Sequence, residues 1–109
     1  MMLFFAAVPL SGSGSHMLDD YIAGIAAGDR EALAGLYRET HTAVYGFALS
    51  LCANAHDAED VLQDTYLQAS RAAASYQSQG KPMAWMLTIA RNLALQRIRE
   101  RERTGTMTP

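Results

Sequence analysis

The residues best suited to chemistry lie in the segment DAEDVLQDTYLQA, residues 57–69, where four carboxylates accompany two glutamines. Asp57 is expected to cap a helix here, because acidic side chains are favourable at a helix N-terminus. Capping does not account for Asp64, which lies one turn after Asp60, since like charges at that spacing repel. Asp60, Gln63 and Asp64 share one helix face, which predicts an acidic patch that binds something outside the helix. The apolar residues of the segment are expected to pack inward: Val61, Leu62 and Leu67.

Two other uses of this acidic segment have less support. A metal site could use His56 and Asp60 at i and i+4, but no second ligand pair occurs at comparable spacing. Paired catalytic carboxylates would need burial to separate their pKa values, whereas an acidic helix start is expected to be solvated. No nucleophile and base pair accompanies them. The sequence therefore predicts a binding protein without catalytic residues, metal or cofactor.

Charge is segregated along the chain. Residues 17–70 carry two basic and nine acidic side chains, a formal charge of −7. Residues 71–109 carry seven basic and two acidic side chains, a formal charge of +5. This division favours one surface for a basic partner and another for a polyanion, although solvated helix faces alone would give the same composition.

An aromatic residue and several arginines meet around the loop SYQSQGK, residues 75–81. Tyr76 lies at the start of this loop, and the helix expected after it carries four polar or basic side chains: Arg91, Asn92, Arg97 and Arg99. A nucleobase can stack on an aromatic ring while guanidinium groups contact phosphates, as in single-stranded nucleic-acid binding. Arginines at a helix end also simply complement the helix dipole. Trp85 could stack on a base, but it lies on an apolar stripe, which favours packing in the core.

These residues must be positioned by a small helical domain. A chain of 109 residues, half of them apolar, can bury one core, and its abundant Ala and Leu with three prolines favour an all-α bundle of about four helices. The first helix is expected over residues 18–27 and closed by Gly28. The second starts at the Asp29 cap, the third contains the acidic segment, and the fourth spans residues 82–103, with Pro82 in its first turn.

The two longest helices have apolar stripes at helical spacing. The stripe of the second helix consists of Leu33, Leu36, Tyr37, Val44, Phe47, Ala48 and Leu51. On the fourth helix, one face carries Trp85, Ile89 and Leu93 and continues to Gln96. The single Cys52 lies in an apolar run and is expected to be a small buried side chain without a disulfide, which suits a reducing cytoplasm.

Residues 1–16 are expected to lie outside the domain of residues 17–103. The apolar residues 1–10 are too short to span a membrane, and no Lys or Arg precedes them as in a secretory signal. The following SGSGSHM has the composition of a flexible linker ending in a cloning remnant. The segment is either a tag or a tethered apolar peptide that covers a groove, and no membrane insertion is expected.

Two motifs at a fixed distance indicate a family. The helix DAEDVLQDTY is followed by PMAWMLTIARN, and AGDREALAGLYRETHTAVYGFAL precedes both. Together they resemble region 2 of bacterial sigma factors of the extracytoplasmic-function (ECF) group, group 4 of the sigma-70 family. The resemblance covers residues 18–103 and implies the sigma region 2 helical bundle.

The resemblance also implies partners and site residues. In that family the acidic helix docks on the clamp helices of the RNA polymerase beta-prime subunit, and the matching positions are Asp60, Gln63 and Asp64. The non-template strand of the promoter -10 element is held single-stranded, with one base in a pocket. The matching pocket positions are Ala72, Tyr76, Ile89 and Asn92. The candidates for phosphate contacts are Arg71, Lys81, Arg91 and Arg97, and such contacts should weaken with salt.

The resemblance implies a cytoplasmic transcription initiation domain that recognises and melts the -10 element while bound to polymerase. Residues 104–109 would begin a linker to region 4, which reads the -35 element and is absent from this sequence. An anti-sigma factor is an expected further partner. The alternative is a helical protein-interaction module whose main partner is an anti-sigma factor, without DNA reading of its own.

Overall fold

The computed structural model describes residues 13–77 and 80–107, and these residues form helices without a β-strand. Helix α1 spans Ser13–Ala26, α2 spans Arg30–Cys52, α3 spans Ala55–Ala72 and α4 spans Pro82–Met107. A short 3-10 helix, Ala73–Ser75, follows α3 directly. The predicted all-α bundle of four helices is confirmed.

The turn between α1 and α2 has the predicted chemistry. Gly28 has a φ of 89°, a conformation that glycine adopts without strain. Asp29 is the N-cap of α2, and its Oδ1 accepts a hydrogen bond of 3.0 Å from the Glu31 N–H. The predicted start of α1 at residue 18 is wrong, because the helix begins at Ser13 and includes the end of the segment 1–16. The prediction for residues 1–10 concerns a part of the chain outside the described residues.

The cap of α3 differs from the prediction. Ala53 adopts the left-handed conformation, with φ 52° and ψ 32°, and its N–H bonds the Leu49 carbonyl at 2.8 Å. Asn54 then caps α3, since its Oδ1 accepts a hydrogen bond of 2.8 Å from the Asp57 N–H. The prediction that Asp57 is the cap is therefore wrong. Asp57 lies in the first turn, where its carboxylate is still favourable and its side chain can contact α4.

The core lies between α2, α3, α4 and the inward face of α1. Its most buried large side chains include Ile22, Leu36, Val44, Val61 and Met86. The predicted stripe of α2 is confirmed for its buried members Leu36, Val44 and Ala48, but Tyr37 is 41% exposed and not a core residue. Cys52 is buried and has a free thiol, as predicted, and burial raises its pKa.

A polar pair is buried between α2 and α3. The Thr40 hydroxyl donates to the Leu36 carbonyl at 2.7 Å, so its oxygen accepts the proton of the Tyr66 hydroxyl. This arrangement satisfies both hydroxyls away from water. Burial raises the pKa of Tyr66 to about 12. The pair ties the middle of α2 to the helix that carries the acidic segment.

The buried side of α4 is displaced by one residue from the predicted stripe. Met86, Ala90 and Ala94 are completely buried at intervals of four residues, whereas Gln96 is exposed. The small alanines let the backbone of α4 approach the other helices closely, which the larger predicted residues would prevent. Trp85, Ile89 and Leu93 are therefore half-buried at the flank. The prediction that Trp85 packs in the core is therefore correct only in part, because the residue packs against the core but is partly exposed.

The predicted end of α4 at residue 103 is also too early, because the helix continues to Met107. Across the described ranges 13–77 and 80–107, no helix combines the length and the apolar character needed to cross a membrane.

Candidate binding surfaces

A cavity of about 480 Å³ lies between the end of the 3-10 helix and the first turns of α4. We call it the aromatic cavity. Its lining residues are Ser75, Tyr76, Gln77, Lys81, Ala84, Trp85 and Thr88. The Tyr76 and Trp85 rings form a tilted pair, with centroids 4.7 Å apart and planes at 51°. The cavity therefore combines two aromatic rings, one ammonium group and small hydroxyls, a set that suits a flat polar ligand near an anionic group.

The local sequence explains how these rings meet. Pro82 starts α4 and is buried, so that Trp85 lies one turn later, beside the loop that leaves the 3-10 helix. Tyr76 follows that helix in an extended conformation, with φ −67° and ψ 132°. Its hydroxyl donates a hydrogen bond of 2.7 Å to Oδ1 of Asp19 on α1. The orientation of the Tyr76 ring thus depends on a helix more than fifty residues earlier in the chain.

The structure brings together some of the residues predicted for DNA binding. Tyr76 and Lys81 line the aromatic cavity, whereas Ala72, Ile89 and Asn92 are not among its lining residues. Asn92 is exposed and lies one turn after Thr88 on the same face of α4, next to the cavity. Ala72 and Ile89 are half-buried, and Arg71 and Arg91 are exposed. Arg97, the last residue predicted for this surface, lies further along α4 and pairs with carboxylates of α3 instead of lining the cavity.

The predicted acidic patch is present on α3. Gln63 and Asp64 are exposed, and Asp60, one turn earlier, is partly covered. Leu67 continues this face by one more turn and is 51% exposed, so the prediction that it packs inward is wrong, whereas Val61 is buried and Leu62 half-buried. We call the surface formed by Asp60, Gln63, Asp64 and Leu67 the acidic face. It offers two carboxylates, one amide and one apolar side chain to a partner.

The acidic and basic segments of the chain pair with each other across α3 and α4. Arg97 Nη2 contacts Asp60 Oδ2 and lies 3.7 Å from Asp57 Oδ1. Arg101 Nη1 contacts Asp57 Oδ2 at 3.1 Å. His56 Nε2 lies 3.7 Å from Asp60 Oδ2. Sequence reasoning missed these pairs because Asp60 and Arg97 had been predicted to face different partners.

No three His, Cys, Asp or Glu side chains of the described part of the chain are grouped so that they could hold a metal ion. His56 and Asp60 are close to each other, but the third group near Asp60 is the guanidinium of Arg97. A cation beside a carboxylate opposes binding of a second cation. The chemistry available at this end of the bundle is therefore ion pairing and hydrogen bonding.

The family model described as Sigma-70 region 2 matches residues 36–104, which is more than half of the chain. The chain belongs to the sigma-70 region 2 family. The matched span of this region 2 domain includes the acidic face, the aromatic cavity and the ion pairs, whereas Asp19 on α1 lies before it.

Several curated proteins are similar to this region 2 domain. A protein named ECF RNA polymerase sigma factor SigK from Mycobacterium sp. (strain KMS) is 40% identical over 86 residues, which cover 78% of this chain and 45% of the relative. Proteins of the same name from Mycobacterium ulcerans (strain Agy99) and Mycobacterium tuberculosis (strain ATCC 25177 / H37Ra) are 37% and 33% identical over 86 residues, with 78% of this chain and 46% of each relative covered. The chain thus spans less than half the length of these relatives. The search of solved structures gives no significant match.

Two structural features of the region 2 domain were missed by the predictions from its sequence. Trp85 and Thr88 line the cavity, although Trp85 had been predicted as a core residue. The spacing of Trp85 and Thr88 from Pro82 could have predicted this, because it places both residues on one flank of the first two turns of α4. The Asp60–Arg97 pair has no such local signal, because the two residues are 37 positions apart.

Proposed function

We propose that this chain is region 2 of an ECF (group 4) sigma factor and acts in transcription initiation. In this proposal it docks on the beta-prime clamp helices of RNA polymerase, then recognises and melts the -10 element by capturing its non-template strand. The observation that carries the proposal is the aromatic cavity, in which the paired rings of Tyr76 and Trp85 lie beside Lys81. The site of action is the cytoplasm, where polymerase transcribes.

In the proposed DNA complex, one unstacked base enters the aromatic cavity. Tyr76 and Trp85 offer faces on which the base can stack, and Asn92, at the adjacent turn, reads base edges. Lys81 is in the wall of the cavity and contacts a flanking phosphate. The exposed Arg71 and Arg91 contact further phosphates, and Ala72 and Ile89 support the apolar base of this surface.

The energetics explain why polymerase is part of the proposal. Extruding a base costs a few kcal/mol, and stacking on an aromatic side chain returns about 1–3 kcal/mol. The two terms nearly cancel for one cavity, so the isolated domain should bind DNA weakly. A polymerase that holds both the domain and the promoter makes capture effectively intramolecular and shifts this balance toward the melted state.

The proposed polymerase contact uses the acidic face. The exposed Gln63 and Asp64 can meet basic side chains of the clamp helices, with charge-assisted hydrogen bonds that fix orientation. Leu67 adds an apolar contact at the end of the same face. A rigid helix that presents both chemistries fits a helical partner with basic residues around an apolar groove.

The second candidate is a module whose main partner is an anti-sigma factor. The exposed Leu67 and Tyr37 favour it, because both are large apolar side chains available for a protein interface. The Tyr37 ring is stacked on His41, with centroids 4.8 Å apart, which gives this surface a defined shape. Under this candidate the domain would bind protein without selecting DNA sequences.

The test is fluorescence-anisotropy binding of the full chain to single-stranded -10-like oligonucleotides and scrambled versions across a salt series. Asn92→Ala should reduce affinity for the preferred oligonucleotide about tenfold, since one base-edge contact is lost. Gln68→Ala is the matched control, because Gln68 is an exposed amide on α3, outside the proposed surfaces. If no oligonucleotide is preferred even at low salt, the anti-sigma candidate is favoured.

A further inference from the structure

We propose that the aromatic cavity selects bases that carry an exocyclic amino group, such as cytosine or adenine, over thymine. The selecting groups are the hydroxyl oxygens of Ser75 and Thr88, which act as hydrogen-bond acceptors for the amino protons. This inference rests on the proposed function and adds the class of base that the cavity accepts.

The hydroxyl protons of Ser75 and Thr88 are already used within the protein. Ser75 Oγ donates to the Ala72 carbonyl at 3.0 Å, and Thr88 Oγ1 donates to the Ala84 carbonyl at 2.8 Å. A carbonyl oxygen only accepts, so the hydroxyl is the donor in both bonds. Because a hydroxyl has one proton and two lone pairs, both side chains retain only acceptor capacity for a ligand.

The two hydroxyls come from the two elements that enclose the cavity. Ser75 ends the 3-10 helix, and Thr88 lies on the second turn of α4. Both residues are exposed, so a ligand can reach their oxygens. To donate to a ligand instead, either hydroxyl would have to leave a carbonyl of its own helix without this bond. The local backbone therefore fixes the hydrogen-bonding polarity of this part of the wall.

The Tyr76 ring completes the wall without adding a free proton. Its hydroxyl donates to Asp19 Oδ1 at 2.7 Å, so Tyr76 offers a ligand the face of its ring. All three hydroxyls among the described lining residues have thus donated their protons to acceptors of the protein.

The proton donors of the cavity discriminate less among bases. Gln77 has an amide, Lys81 an ammonium group and Trp85 an indole N–H. Every base has ring nitrogen or carbonyl acceptors that can meet such donors. Selection therefore depends on what the base offers to the hydroxyl acceptors of Ser75 and Thr88.

An exocyclic amino group fits two hydroxyl acceptors, because it has two N–H protons. Thymine presents the acceptor O4 where cytosine presents the N4 amino group, so its carbonyl would face oxygens that have no proton to give. A polar group left without a partner weakens binding. Ser75 and Thr88 are exposed, so water can still hydrate them and the selectivity should be moderate.

The test compares two single strands of equal length, oligo(dT) and oligo(5-methyl-dC), by fluorescence anisotropy with the full chain at low salt. The strands share backbone, ring size and 5-methyl group, and differ in the carbonyl or amino group at ring position 4 and in the proton on N3. Uniform strands present the same base in every register. We expect the full chain to bind oligo(5-methyl-dC) about fivefold more tightly, as lost hydrogen bonds to an exposed site predict.

Variants assign the preference to the two hydroxyls. Thr88→Val combined with Ser75→Ala removes both acceptors, and the preference should fall below about twofold. Thr88→Ser keeps its hydroxyl and should keep the preference. The matched control is Thr42→Val combined with Ser50→Ala, since both residues are exposed on α2 and Ser50 Oγ donates to the Phe47 carbonyl in the same way. Circular dichroism melts identify any variant that fails to fold, and Thr88→Val alone then replaces the double variant.

The outcomes separate this inference from the proposed function. Equal affinity of the parent chain for the two strands overturns the inference, as does a lack of binding to both at low salt. A preference that persists without both hydroxyls, or that the α2 control also loses, overturns it as well. Failure of the proposed function has a different signature, namely equal binding of -10-like and scrambled DNA and no effect of Asn92→Ala.

Discussion

The hydroxyl of Tyr76 donates a hydrogen bond of 2.7 Å to Asp19 Oδ1, which joins α1 to the wall of the aromatic cavity. Asp19 lies before the span that matches the sigma-70 region 2 family, residues 36–104. The first helix therefore does more than cover the core. It holds one of the two rings on which we propose that a base stacks.

Tyr76→Phe tests this relationship, because it keeps the ring and removes the hydroxyl that bonds Asp19. We expect a loss of about 1.5–3 kcal/mol in the free energy of unfolding, the range for a hydrogen bond to a charged group. Affinity for the preferred -10-like oligonucleotide should fall about threefold as the ring becomes free to rotate. Denaturant melts and anisotropy measure the two effects. Tyr45→Phe, at a half-buried tyrosine on α2, is the control, and equal effects in both variants would contradict the prediction.

Asp64→Asn tests the proposed polymerase contact on the acidic face. Asp64 is exposed, so removing its charge should leave the thermal midpoint unchanged while it weakens binding to core RNA polymerase about fivefold at low salt. The effect should decrease as salt rises, because an exposed charge pair is screened. Titration with labelled domain measures the affinity. Glu59→Gln removes one carboxylate that lies about 140° around α3 from Asp64, and an identical loss in that variant would indicate only a general charge effect.

The buried Tyr66 hydroxyl predicts loss of stability in alkali. Its pKa is about 12 in the folded domain and about 10 in an unfolded chain. Because the folded pKa is higher, the contribution is fully present below pH 10 and is lost as the pH rises to about 12. The shift corresponds to a decrease on the order of 3 kcal/mol across this window.

Tyr66→Phe separates this titration from that of other groups. The variant should lose about 1 kcal/mol at neutral pH, because Thr40 no longer receives its hydrogen bond. Between pH 10 and 12 its unfolding free energy should fall less steeply than that of the parent chain. Urea denaturation at each pH measures the unfolding free energy of both proteins. If the variant and the parent chain lose the same free energy between pH 10 and 12, Tyr66 is not the titrating group.

Gly35 should not tolerate a side chain, because a Cβ there would lie 2.3 Å from Cε1 of Tyr21. Gly35→Ala forces the Tyr21 ring of α1 away from α2, and overpacking of this kind costs about 1–3 kcal/mol. Gly46→Ala on the same helix meets no atom within 4 Å and should instead stabilise the helix by about 0.5–1 kcal/mol. Thermal melts compare the two, and equal midpoints would contradict the close approach of α1.

Local patterns predicted much of the fold. The cap at Asp29, the turn at Gly28 and the buried positions Leu36 and Val44 depend on neighbours within one or two helical turns. The family motifs likewise identified the region 2 family, and the roles they imply for Asp64 and Asn92 stay predictions. The predictions for the cap of α3 and for the buried side of α4 were wrong for a common reason. In each case the local sequence offered two nearly equal candidates, two capping residues or two helix faces, and packing against the other helices selected one of them.

Sequence by itself thus determined the helical class, the acidic α3 and the basic α4, because periodicity, capping and charge depend only on residues that are close together in the chain. Only the tertiary structure decided that Asp60 pairs with Arg97, that Asp19 bonds Tyr76 and that Trp85 faces a cavity. Those contacts join residues on different helices, so they depend on how α1, α3 and α4 approach and rotate against each other. That arrangement is set by the burial of side chains such as Met86, Ala90 and Ala94 in a common core. It depends on all the helices together and cannot be predicted from the sequence of any one of them.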